Sequence, residues 1–123
     1  METRHRIIID NAAAMARLDA DSVNLVVTSP PYPMIEMWDP LFSAQSQRVR
    51  AALDRKDGPA AFEAMHALLD PIWHQIFRVL APGGFACINI GDAVRTLQDR
   101  FSLYPNHARI IQTLLKAGFS LIP

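Results

Sequence analysis

Three short, nearly unbroken apolar runs constrain what this chain can fold into: Ile7-Ile8-Ile9, Val23 to Val27, and Phe85 to Ile90. Each is bounded by residues that stop a strand, namely Asp10-Asn11, Pro30-Pro31 and Ala81-Pro82-Gly83-Gly84. Runs of this length that do not alternate with polar residues read as strands buried on both faces. The stretches between them carry a helical period. Ala12 to Leu18 predicts a short helix, and Pro40 to Lys56 a longer one with Leu41, Phe42, Val49 and Leu53 inward, closed by Asp57-Gly58. From Pro59 to Leu80, Phe62, Met65, Leu69, Ile72, Ile76 and Val79 recur at three- and four-residue steps. Pro71 predicts a kink there, or two helices with Asp70 capping the second. Strands alternating with helices make an α/β fold, with a mostly parallel sheet and helices on both faces.

Beyond the third run, Gly91 to Tyr104 reads as loop. Pro105-Asn106 opens a helix through Lys116 that Gly118 ends, and Phe119 to Ile122 begins a further strand. The 123 residues suit one domain. No apolar run approaches the roughly 20 residues that span a bilayer, and the N-terminal segment is too short for a signal peptide. A single cysteine, Cys87, excludes an internal disulfide, so a cytoplasmic protein is expected, with Cys87 in the core. Formal net charge is zero, so the basic excess usual for a nucleic-acid-binding domain is absent. His5, His66, His74 and His107 show no metal-ligand spacing, and no metal site is expected. Arg48, Arg50, Arg55 and Lys56 read as a solvated helix face in preference to a phosphate contact.

The chemistry gathers where the second run stops. Each proline fixes its φ and lacks an N–H, and Pro31 holds Pro30 extended. Ser29-Pro30-Pro31-Tyr32 therefore sets a hydroxyl, a rigid carbonyl and an aromatic ring beyond the carboxyl end of a strand, where open α/β sheets bind ligands. Such a set can receive a planar group bearing an NH₂. Spacing alone equally allows a Pro-Pro stop with a capping serine. Asp92, after the third run, lines the same crevice or is a turn aspartate. Trp38 forms a lid over the site or packs against the next helix.

Val27-Thr28-Ser29-Pro30-Pro31-Tyr32 resembles the catalytic loop of the N4-cytosine and N6-adenine DNA methyltransferases. The Ile-rich run upstream, Asp21-Ser22-Val23, Leu80-Ala81-Pro82-Gly83-Gly84 and Asn89-Ile90-Gly91-Asp92 fall in the same order as in that family. The resemblance implies a partial Rossmann-like sheet, S-adenosyl-L-methionine as methyl donor and DNA as partner. It implies that the target base is flipped out of the duplex. The Ser29 hydroxyl and Pro30 carbonyl would accept hydrogen bonds from its exocyclic amine, and Tyr32 would stack on it. Serine before Pro-Pro favours N4-cytosine over N6-adenine. Asp10-Asn11 stands where relatives place Gly-Asp, whose carboxylate serves the cofactor's adenine. The resemblance thus makes Asp10 and Asn11 cofactor-binding candidates: either Asp10 takes that role or the contact is weakened.

The family's glycine-rich donor turn, Phe-x-Gly-x-Gly, is not formed by Gly58, Gly83, Gly84, Gly91 or Gly118. The resemblance thus casts residues 1–123 as the catalytic-loop half of a methyltransferase domain, inactive alone. Ile7-Ile8-Ile9 and Val23–Val27 are then expected either to pair directly or to leave a gap filled by a second chain or copy. An inactive association module is the competing functional reading. A response-regulator-like domain fits the alternation but leaves Pro-Pro-Tyr unexplained.

Overall fold

A computed structural model describes all 123 residues. In chain order the elements are β1 (Val23–Thr28), α1 (Asp39–Gln45), α2 (Gln47–Asp54), α3 (Gly58–Val79), β2 (Leu80–Ile88), β3 (Ala93–Leu97), β4 (Arg100–Tyr104) and α4 (Asn106–Ala117). The fold is α/β, with β1 and β2 parallel neighbours and β3 and β4 a separate antiparallel hairpin. β1 leads to Pro30-Pro31, and the long helix α3 returns the chain to β2 alongside it.

β1 and β2 do not pair evenly. Val23 is opposite Leu80 and Leu25 opposite Phe85, so the expected turn Ala81–Gly84 is a bulge within the strand. Gly83 carries it with φ of 80°, a conformation that suits glycine. Val23, Val26, Ala86 and Ile88 pack on the core, in which Trp73, Met65 and Ile76 of α3 are fully buried. The opposite face is bare: Leu25, Val27, Phe85 and Cys87 are exposed, Val27 by 73%. The helices of that second face are not among these residues, and Cys87 is on the surface rather than in the core.

Further expectations about elements are corrected, beginning with the helix expected over Ala12–Leu18, of which only Ala12–Ala14 forms a 3-10 turn. Ile7-Ile8-Ile9 is not a strand, and Ile7 and Ile9 are 88% and 94% exposed. It pairs neither with β1 nor with anything else, and an extended run without a ladder has nothing to hold it. The helix expected over Pro40–Lys56 is broken at Ser46, which is extended and whose hydroxyl accepts from the Val49 N–H at 3.3 Å to start α2. Gly91–Tyr104 contains the β3–β4 hairpin, turned by Gln98 and Asp99, both at positive φ. Phe119–Ile122 is not a strand, and Phe119 instead meets Phe77 edge-on, with ring centroids 5.2 Å apart.

Helix α3 runs unbroken through Pro71. Asp70 does not cap a second helix but takes Arg109 of α4 at 2.9 and 3.1 Å. Asp57 caps α3 by accepting from Ala60 N–H at 3.0 Å. Pro105, before α4, has no side chain that can cap, and Asp92 reaches across from the β2–β3 connection to accept from the His107 N–H at 3.1 Å. Gly118 ends α4 at φ of 114°.

Candidate active site

β1 ends by offering the Thr28 carbonyl to the Asn89 N–H at 2.9 Å, the last rung shared with the β2 end. Ser29 and the prolines then leave the sheet. Ser29 is exposed, and its hydroxyl lies 3.5 Å from the Tyr32 hydroxyl. No N–H donates to the Pro30 carbonyl, whereas the Tyr32 carbonyl accepts from Ile35 N–H at 3.2 Å. Tyr32 to Ile35 is therefore a tight turn with Pro33 second and Met34 third. Met34 has φ of 67°, the third-position requirement of a type II turn, which usually falls to glycine or asparagine. Met34 is buried, and its N–H donates to the Met65 sulfur at 3.3 Å.

Tyr32 rests on Gly91. A Cβ at Gly91 would lie 3.1 Å from Cε2 of the tyrosine, so a bare backbone is what lets the ring settle there. Asn89 and Gly91, from the Asn-Ile-Gly-Asp segment, thus flank the loop. Asp92 follows, but its carboxylate is engaged by His107, with ring Nδ1 at 2.7 and 2.8 Å. Burial pushes the Asp92 pKa up, but the hydrogen bonds from the His107 ring and amide outweigh it and leave the carboxyl below its ordinary value. Asp92 is beside the site as a helix cap. Trp38 is half-buried and packs on the core at the start of α1.

On the other side of the loop, Pro31 shares a cavity of about 620 Å³ with Asp10 and Asn11, walled by Leu41 and Phe42 of α1 and Leu68 and Ile72 of α3. Asn11 is committed: its side-chain oxygen accepts from the Ala13 N–H at 2.9 Å to start a 3-10 turn. Asp10 accepts only from the Asn11 N–H, at 2.8 Å, and keeps acceptor capacity toward the opening. The structure thus brings Asp10, Asn11 and Pro31 to one hollow, and Ser29, Tyr32 and Gly91 to another side of the same loop. Sequence reasoning gave no role to Met34, and quoted Gly91 only as part of a motif. Only the double proline and Pro33 hinted at a turn strained enough to need support.

A model of the N6/N4 methyltransferase family, described as DNA methylase, matches residues 23–122. The chain belongs to this DNA methylase family. It is 48% identical over 124 residues to the Type II methyltransferase M.MthZI of Methanothermobacter thermautotrophicus, which it covers to 35% while matching along its own entire length. It is 42% identical over 132 residues to the Type II methyltransferase M.MjaI of Methanocaldococcus jannaschii, with 98% of this chain and 44% of that protein aligned. Among solved structures, a putative DNA modification methylase of Thermus thermophilus, complexed with S-adenosyl-L-methionine, superposes with a TM-score of 0.72 at 30% identity, covering 97% of this methylase chain and 42% of the other. The methylase chain therefore spans less than half the length of each of these relatives. None of its helices is long and apolar enough to cross a membrane.

Proposed function

We propose that this chain is the catalytic-loop half of a site-specific DNA methyltransferase, which moves a methyl group from S-adenosyl-L-methionine to the exocyclic amine of a flipped base, with N4 of cytosine as the target. The observation that carries this is the exposed Ser29 hydroxyl beside a Pro30 carbonyl that receives no hydrogen bond, both fixed at the carboxyl end of β1. A base amine placed between them donates to both oxygens. Its lone pair is thereby drawn out of conjugation with the ring and becomes the nucleophile. Tyr32 stacks on the base, an interaction worth roughly 1–3 kcal/mol in comparable sites. The amine nitrogen would bond to the methyl carbon as that carbon's bond to the donor sulfur breaks, S-adenosyl-L-homocysteine leaving as a neutral thioether. The methylated amine would then release a proton to water, and no covalent bond to the protein is required.

The donor supplies an electrophilic methyl group. The residues present fit one side of it: Pro31 and Asp10 border a common hollow, and the free acceptor of Asp10 suits a hydroxyl, an amine or an ammonium group. No glycine-rich turn for the opposite side occurs in these 123 residues. A further segment or a second chain completes that pocket and covers the bare face of the sheet. DNA is the partner, held by that completed assembly, since this chain has no net positive charge.

The test is single-turnover methylation by the completed enzyme on duplexes carrying either only cytosine or only adenine as acceptor. Ser29→Ala is expected to cut the rate far more than DNA affinity, because its hydrogen bond strengthens as the lone pair localises. Undiminished turnover by the variant would remove Ser29 from catalysis. Methylation of the adenine duplex alone would assign the chemistry to N6 of adenine.

A further inference from the structure

One side chain, remote in sequence from the loop, holds both surfaces that place Tyr32. Asn106 opens α4 and is fully buried. Its amide nitrogen donates to the Pro33 carbonyl at 2.9 Å and to the Gly91 carbonyl at 3.0 Å. The first bond fixes the Pro33–Met34 peptide, in the turn that Tyr32 opens; the second fixes the glycine on which the ring rests. Both amide hydrogens are then used, so the Asn106 oxygen is an acceptor, and the His66 Nε2 at 2.9 Å is its donor. That assignment leaves His66 Nδ1 with a lone pair, in keeping with its burial without any partner.

The peptide between Pro33 and Met34 is clamped at both ends. Its carbonyl goes to Asn106 and its N–H to the Met65 sulfur. This is the peptide that leads into the positive φ of Met34, a conformation that residues other than glycine rarely adopt. A turn of that kind persists only where its surroundings over-determine it.

We propose that Asn106 is a positioning residue for the Tyr32 ring, with His66 as the donor that keeps the Asn106 amide facing the two carbonyls. The assignment rests on the reading of Ser29–Tyr32 as the catalytic loop. It adds that loop geometry is dictated from α3 and α4. Asn106 touches neither base nor donor and acts through Pro33 and Gly91.

The experiment uses the 123-residue chain with fluorotyrosine in place of its two tyrosines, the Tyr32 signal being identified by Tyr32→Phe. The indole signal of the fully buried Trp73 monitors the fold. Asn106→Asp keeps the shape but removes the amide donors. It is expected to shift the Tyr32 fluorine signal toward that of free fluorotyrosine and to expose the ring to a paramagnetic quencher, with Trp73 unchanged. His66→Leu, which loses the donor, is expected to do the same. His66→Gln, which restores an N–H near the position of Nε2, is expected to return the signal to its original place. A Tyr32 signal unmoved in folded Asn106→Asp and His66→Leu overturns the proposal.

Should Asn106→Asp unfold, the unsubstituted chain decides. Couplings across hydrogen bonds from the Asn106 side-chain nitrogen to the Pro33 and Gly91 carbonyl carbons support the clamp, and a freely exchanging side-chain amide overturns it. Failure of the catalytic-loop reading looks different: Tyr32→Ala in the completed enzyme then methylates normally, while the fluorine shifts stand.

Discussion

Arg95 grips Asp39 through its two terminal guanidinium nitrogens, at 2.8 and 2.6 Å, with little solvent reaching either side chain. Asp39 begins α1, the first α-helix after the loop, and Arg95 is on β3. The pair therefore ties the chain leaving the site to the hairpin. Replacing one partner strands the other charge. Arg95→Ala is expected to destabilise the fold by on the order of 3 kcal/mol in urea titration. Arg95→Lys should recover only part, because an ammonium cannot span both carboxylate oxygens.

Gly91→Ala should separate site geometry from stability. The residue is not at positive φ, so the backbone tolerates alanine, but the new methyl meets Tyr32 at 3.1 Å. The expected outcome is a large fall in methylation rate by the completed enzyme with a change in unfolding midpoint close to zero.

Gly118→Ala should do the reverse. At φ of 114°, and with a Cβ that would come within 2.8 Å of the Phe77 ring, alanine is strained twice over. A loss of about 1–2 kcal/mol from the backbone alone is expected, with more from displacing Phe77 and Phe119. Urea denaturation reads the loss directly.

Burial holds His66 below the ordinary histidine pKa, against the opposing effect of the hydrogen bond that its ring donates to the Asn106 oxygen. The folded chain thus favours neutral His66. The stability this contributes is fully present above the unfolded-state pKa and is lost as pH falls from there through the folded-state value. Unfolding free energy measured across that acid-side window should decline in the wild-type chain, and His66→Gln should remove the part of the slope due to this residue.

The isolated chain should bind S-adenosyl-L-methionine weakly or not at all, because its residues border the donor on one side only. Calorimetric titration checks this. Micromolar affinity would mean that Asp10 and the hollow beside Pro31 suffice.

Much of the fold was legible where a signal is local. The apolar run of β1, the long period of α3 and the glycine that ends α4 announce themselves through residue type and spacing. Ile7-Ile8-Ile9 carried an equally strong pattern and failed, because a strand exists only beside another and none is there to receive it. The hairpin was hidden for a different reason. Val94, Phe101 and Leu103 face outward while Arg95 and Ser102 share the sheltered side with Ala93, Leu97 and Tyr104, so both faces mix apolar and polar residues, and the Gln98-Asp99 turn lacks glycine. At the site, the Ser29–Tyr32 motif was readable as a resemblance, but the support beneath it was not. Asn106 reads as an ordinary helix start until α3, α4 and two loops converge on it.

The pairing of β1 with β2 has a consequence for the order of events in folding. The two strands are separated in sequence by the whole of α1, α2 and α3, so closing that span costs chain entropy before any rung of the ladder repays it. The helices, held by short-range contacts, can form first and carry β2 back to β1. During synthesis on the ribosome, β1 and its two prolines thus emerge long before their partner strand exists. When the sheet does close, it still turns Leu25, Val27 and Phe85 outward. Closing the sheet therefore does not end the exposure of apolar surface that begins with the unpaired strand.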